Sequence, residues 1–393
     1  MEHNKAPGPD GFPAEFYQTF WDLIKFDLMA MFVDFSNRNL PLYSLNFGTI
    51  ILLPKCKEAI TIQQYRPICI LHVSFKIFTK VATNRLNSVA QKVISPTQTA
   101  FLPGRNIIVL HETLHELHRK KSNSVIFKID FEKAYDKVKW SFVRQTLEMK
   151  GFSSKWCNWV ESFIKGGHVN VKINDQIGEN FQTKKGLRQG DPLSPVLFNI
   201  VIDMLVILLR RANLDGQIAG VVPHLVEGGL SILQYADDTI IFMDHDLAKA
   251  ANLKMILCAF EQLSGLKINF HKSEIFCFGA AKEAETEYST LLGCKSGSYP
   301  FKYLGILMHY RKLSNADWSI IEERFEKKLS SWKGKHLSVG GRLILINSVL
   351  TSLAMFMLSF FEIPRGVLEK LEYYRSRFFW QSDYNKKKYR LVR

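Results

Sequence analysis

SILQYADDTIIF (residues 231–242) reads as two short β-forming runs interrupted by Asp237 and Asp238. Unpaired carboxylates are costly to bury, so a sheet that carries two in succession should aim them at something that compensates them. A tight strand–turn–strand points both at one place, although adjacent Asp residues also make ordinary solvated turns. Upstream, Val125, Phe127, Ile129 and Phe131 alternate with Ile126, Lys128 and Asp130. That period of two predicts a half-buried strand, with one apolar face on the core and Lys128 and Asp130 on the other. If the two segments neighbour in one sheet, Asp130 joins the pair. Three hard oxygen ligands suit Mg²⁺, which keeps waters and takes its remaining ligands from phosphate. Two such ions, about 3.5–4 Å apart, would serve an in-line phosphoryl transfer.

Outward from these segments, Phe16 to Phe35, Val73 to Val93, Ile107 to Lys121, Trp140 to Lys150, Val196 to Arg211 and Ala248 to Leu263 carry helical patterning. Strands are expected at Thr49 to Pro54, near 274–278 and near 301–307, with a hairpin turning through Asn174 to Gly178. The C-terminal region reads as mainly helical and basic. Leu343 to Phe361 runs without a charge and is long enough to span a bilayer. Asn347, Thr351 and Ser359, with Ser348 and Ser352 beside them, form a polar stripe, so an amphipathic soluble helix is expected and no membrane.

The 393 residues suggest two or three folding units, each able to bury a core, which excludes a disulfide-stapled miniature. Lys plus Arg number 52 and Asp plus Glu 37, giving a formal charge of +15 and a polyanionic partner as the natural reading. The six cysteines, at 56, 69, 157, 258, 277 and 294, form neither a zinc knuckle nor a CxxC motif. They read as reduced thiols of an intracellular protein, nuclear or cytoplasmic, and the N-terminus has no apolar signal core.

FKIDFEKAYD (127–136), GLRQGDPLSP (186–195), YADD (235–238) and LKINFHKS (266–273) stand in the order and spacing of the palm motifs of reverse transcriptases. The sequence resembles in particular the non-LTR, LINE-type retrotransposon polymerases of plants. NKAPGPDG (4–11), LLPK (52–55), YRPICIL (65–71), QTAFLPGR (98–105) and YLG (303–305) extend the likeness over almost the whole chain. The resemblance implies an α+β right-hand polymerase, with fingers at 1–121, a palm on an antiparallel sheet at 122–310 and a helical thumb at 311–393. It implies RNA-directed DNA synthesis on an RNA template and DNA primer, consuming dNTPs, with two Mg²⁺ ions and Mn²⁺ as a substitute.

Carried over by motif, Asp130, Asp237 and Asp238 would hold the metals, near the backbone of Phe131. Tyr135 would be the aromatic gate against a ribose 2′-hydroxyl, and Gln189 would line the nucleotide sugar. Lys55 and Arg66 would grip the triphosphate. Lys272 would protonate the pyrophosphate leaving group, and Arg105 would meet the template. Lys327, Lys328, Lys333, Lys335, Arg375, Arg377 and Lys386 to Lys388 would hold the duplex through phosphate contacts.

His111-Glu112-Thr113-Leu114-His115, with His118 on the same helical face, is formally HExxH. It lacks the following glycine turn and third histidine and falls where the family carries an ordinary helix, so no zinc site is expected. The family's complete proteins usually carry an upstream endonuclease, which is not readable here, and the sequence leaves open whether the chain is a truncated copy. The alternatives are an RNA-dependent RNA polymerase, which Tyr135 disfavours, and a catalytically inactive nucleic-acid-binding relic of a mobile element.

Overall fold

The structure, a computed structural model, describes residues 3, 5–95, 105–332 and 337–381. Expectations placed on QTAFLPGR, on the Arg105 side chain, and on Lys333, Lys335 and Lys386 to Lys388 fall outside the described residues and side chains. Contacts divide the chain into two compact units, 1–103 with 123–296 and 104–122 with 297–393.

The first unit carries two larger sheets. In one, Tyr65–Leu71 pairs antiparallel with Phe47–Pro54, which pairs parallel with His168–Ile173. The expected hairpin turns at Asn174 and Asp175, whose φ values of 48° and 64° suit the tight turns that join twisted strands. The central sheet runs in the order Lys295–Ser296, Glu274–Phe278, Ser124–Ile129, Asp238–Asp244, Ile232–Tyr235. Its pairs are antiparallel except at the Lys295 edge, where the pairing is parallel.

Ser124–Ile129 is not half-buried as its alternation predicts. Val125, Ile126 and Phe127 are all fully buried, so both faces of the strand are covered there. That face opens toward the strand end, where Lys128 is half-buried and Asp130 exposed. The helix Ser194–Leu214 runs through the main core, with Leu197, Phe198, Ile200, Val201, Ile202, Leu205 and Leu209 wholly buried. A helix apolar on nearly all sides has to lie inside a domain, and a proline in its first turn fixes where it starts. The segment expected as one helix over Phe16 to Phe35 breaks at Phe20 into Ala14–Thr19 and Trp21–Ser36.

The second unit contains the helix Arg105–Arg119, a hairpin of Phe301–Tyr303 with Ile306–Met308, and C-terminal helices around Trp318, Phe325, Leu350 and Leu371. The hairpin replaces the single strand expected near 301–307; Leu304 and Gly305, both at positive φ, supply the turn. Val339–Leu358, with mean hydropathy 1.7, is long and apolar enough by composition to cross a membrane. Ile346, Leu350, Ala354 and Met357 recur at helical spacing and enter this unit's core. Two histidines of the helix Arg105–Arg119 meet rings: His111 lies 5.3 Å from Phe361 and His118 4.2 Å from Tyr310.

Candidate active site

The register of the central sheet decides where the acids go. Ile129 pairs with Thr239 as the last pair of an antiparallel ladder, so Asp130 and Asp238 each lie one residue beyond it, close enough for their charges to interact. Tyr235 pairs with Asp238 across a two-residue turn of Ala236 and Asp237. Ala236 has φ +52°, a conformation that non-glycine residues seldom adopt and that concentrates at functional turns. Three carboxylates from two distant segments therefore share one sheet end.

All three are solvent-facing, and among the described residues none accepts a hydrogen bond. Partial burial raises Asp130 above the ordinary carboxylate range; Lys272 works against that shift and Asp237 adds to it. Partial burial and then the Asp237 carboxylate push Asp238 up to about 6, with Lys128 opposing. Such a set, all hard oxygen and mutually repelling, fits divalent cations. Among the described residues no three His, Cys, Asp or Glu side chains already stand together as a ligand set. Binding would thus draw the carboxylates inward from positions that the backbone has already brought together.

The carboxylates open onto a cleft of ≈ 1090 Å³. Asp130, Phe131, Tyr135, Asp237 and Lys272 line it, and so do Lys55, Arg66 and Gln189 from other elements. Lys55 follows the strand Phe47–Pro54 and donates from Nζ to the Gln63 carbonyl at 2.8 Å. Arg66 lies opposite Leu53 on the neighbouring strand. The Tyr135 ring stacks on Phe198 at 4.6 Å with planes 12° apart, which fixes its orientation; burial, with Asp237, pushes its hydroxyl up to about 12. Tyr135 is therefore a neutral, anchored ring at the cleft wall.

Gln189 is held through its backbone. Its carbonyl accepts the Cys69 N–H at 2.7 Å. Gly190 has φ +115°, and a Cβ there would sit 2.4 Å from the Cys69 carbonyl oxygen, so only glycine allows the approach. Arg188, which the sequence reading passed over, ties this turn down. Its guanidinium bonds Asn46 and the Phe163 carbonyl, the latter at 2.8 Å, and lies 5.0 Å from the Phe75 ring centre.

The structure thus brings eight of the ten expected site residues into one cleft and sets Asp238 beside it by register; the Arg105 side chain lies outside the described set.

The reverse transcriptase (RNA-dependent DNA polymerase) family matches residues 53–308, well over half of the chain. The chain belongs to that family, and its helices and antiparallel sheet are of the expected α+β class. It is similar to an uncharacterized 149 kDa protein of transposon TX1 from Xenopus laevis, 29 % identical over 390 residues, covering 97 % of this chain and 29 % of that protein. A retrovirus-related Pol polyprotein from the type-2 retrotransposable element R2DM of Drosophila melanogaster is 26 % identical over 386 residues, 94 % of this chain and 34 % of its own length. The chain therefore spans about a third of the length of these relatives, and its likeness is to non-LTR retrotransposon reverse transcriptases of the R2 and TX1 kind. The expected likeness to plant elements is not supported, since the relatives that match over most of the chain are animal. Among solved structures, apo telomerase from Candida tropicalis matches with TM-score 0.45 and 13 % identity, over 86 % of this chain and 63 % of that one.

Proposed function

We propose that the cleft adds deoxynucleotides to a primer 3′-hydroxyl on an RNA template, releasing pyrophosphate, as the polymerase core of a non-LTR retrotransposon. The observation that carries the reading is the ladder ending at Ile129–Thr239, which brings Asp130 and Asp238 to one sheet end beside Asp237, at the cleft lined by Lys55, Arg66 and Tyr135. Two Mg²⁺ ions, with Mn²⁺ as a substitute, held by Asp130, Asp237 and Asp238 near the Phe131 backbone, would supply Lewis acidity to the attacking hydroxyl and the leaving phosphate oxygens. Lys55 and Arg66 bind the triphosphate. The anchored Tyr135 ring crowds a ribose 2′-hydroxyl, and Gln189 lines the sugar. Lys272 delivers a proton to the departing pyrophosphate.

In this reading 1–121 act as fingers, 122–310 as palm and 311–393 as thumb, with Arg105 on the template and the basic C-terminal helices on the duplex. An intracellular location and no membrane belong to the same proposal; its support is the cysteine usage, six free thiols of which four are buried. Primer extension on poly(rA)–oligo(dT) with Mg²⁺, comparing dTTP with UTP, tests it. Extension is expected with dTTP and strong discrimination against UTP. Duplex binding without extension would favour the relic, and equal use of UTP would remove the role of Tyr135.

A further inference from the structure

At Asp130 the chain changes sheets. Ile129 is the last residue of its strand in the central ladder, whereas Phe131 already pairs with Ile268 in a separate two-stranded ribbon. A backbone group at such a crossing has lost its regular ladder partner and must find another. Both polar groups of Asp130 find theirs in one loop. The Asp130 carbonyl accepts the Asn269 N–H at 2.7 Å, and the Asp130 N–H donates to the Ser273 hydroxyl at 3.1 Å.

Ser273 is completely buried, and its hydroxyl also donates to the Asn269 carbonyl at 2.9 Å. That carbonyl takes the backbone N–H of Lys272 at 3.0 Å and of Ser273 at 2.9 Å as well. The turn 269–273 is thereby closed on itself and fastened at both ends to Asp130. It presents Lys272 to the same cleft as Asp130. One hydroxyl is the joint between a metal-ligand candidate and a proton-donor candidate 142 positions further along the sequence.

We propose that Ser273 is a positioning residue of the polymerase site, which holds the Asp130 carboxylate and the Lys272 ammonium in fixed relation; this rests on the function proposed above. Neither the Asp130 carboxylate nor the Lys272 side chain is touched by it, so its effect passes through backbone geometry alone. Supporting groups one bond removed from a metal ligand typically change metal affinity or activity 10–100-fold when removed.

The test uses the full chain with Ser273→Ala, Ser273→Thr and Ser273→Cys. Single-turnover primer extension is measured alongside Mn²⁺ binding, the latter from the electron paramagnetic resonance signal of the free ion, well below each variant's unfolding midpoint. Ser273→Ala should lower kcat about tenfold and weaken Mn²⁺ binding about tenfold, with KM for dTTP within about twofold of wild type. Ser273→Thr, which keeps a hydroxyl, should restore both. Ser273→Cys fills the same space but offers only a weak donor and acceptor, and should resemble Ser273→Ala; it decides the matter if the alanine variant does not fold. Wild-type kcat and Mn²⁺ affinity in Ser273→Ala or Ser273→Cys, with only the melting point lowered, would overturn the proposal. A wild-type chain that extends primers while these variants do so equally well sinks Ser273 alone, whereas a wild-type chain that neither binds Mn²⁺ nor extends sinks the function with it.

Discussion

Two groups of acids in the same unit are treated in opposite ways. Asp203 sits in the middle of the buried helix Ser194–Leu214, its side chain 1 % accessible. One of its carboxylate oxygens meets the Lys150 ammonium at 2.6 Å, and the other accepts the Ser95 N–H at 2.9 Å. Lys150 is completed by the Val93 carbonyl at 2.6 Å. The charge is fully compensated, and the pair ties the end of the helix Val73–Val93 to the core. The carboxylates of Asp130, Asp237 and Asp238 instead repel one another and accept no hydrogen bond among the described residues, and two of them are raised above the ordinary carboxylate range. Folding arranges partners for an acid that serves the structure. An acid cluster left without them costs stability and is retained for what binds there.

The sharpest break of the comparison is on the uncompensated side. Asp237→Ala should reduce primer extension by at least about a thousandfold while leaving duplex affinity nearly unchanged, measured by single-turnover extension and by filter binding. On the compensated side, Asp203→Ala strands the Lys150 charge in the interior and should cost about 3–5 kcal/mol of stability in denaturant titrations. Lys150→Met combined with Asp203→Leu should recover most of that loss, because the interior accepts apolar groups in place of an ion pair.

A smaller effect is expected at the cleft wall. Tyr135→Val removes the ring that stacks on Phe198 and should raise UTP use relative to dTTP by about tenfold or more, roughly 1.4 kcal/mol in discrimination. The smallest effect is a gain. Asp238 has a higher pKa folded than unfolded, so the folded chain binds the proton more tightly. Stability of the metal-free protein should therefore fall as pH rises from the unfolded value near 3.9 to about 6, and stay lower above it. Asp238→Asn should flatten that slope and raise the metal-free melting point at pH 7.5 by on the order of 1–3 °C, seen by scanning calorimetry.

Much of this was legible in the residues. The acidic interruption in SILQYADDTIIF and the strand alternation ending at Asp130 are local signals, and they bring the three carboxylates to one sheet end; Lys55, Arg66, Tyr135, Gln189 and Lys272 entered only through the family resemblance, and the fold sets all five on one cleft. What escaped depends on partners that are far away in the chain. Ser124–Ile129 has Ile126 buried on the face expected to meet solvent, a covering that no local alternation reports. The Phe20 break carries no proline or glycine to announce it. Arg188 acts through Asn46 and Phe163, and Ser273 through Asp130, across separations that spacing rules do not reach. One signal was available and passed over: Asp203 is a lone acid inside an otherwise apolar helix, which demands a buried cation somewhere in the fold.

The most direct test is the Mg²⁺ dependence of single-turnover extension on an RNA template, for the wild-type chain and for Asp130→Ala. The wild-type rate should rise from none without Mg²⁺ to a plateau, and Asp130→Ala should stay near baseline throughout. Extension that proceeds without a divalent ion, or that reaches the same plateau in Asp130→Ala, would contradict the assignment of the three carboxylates.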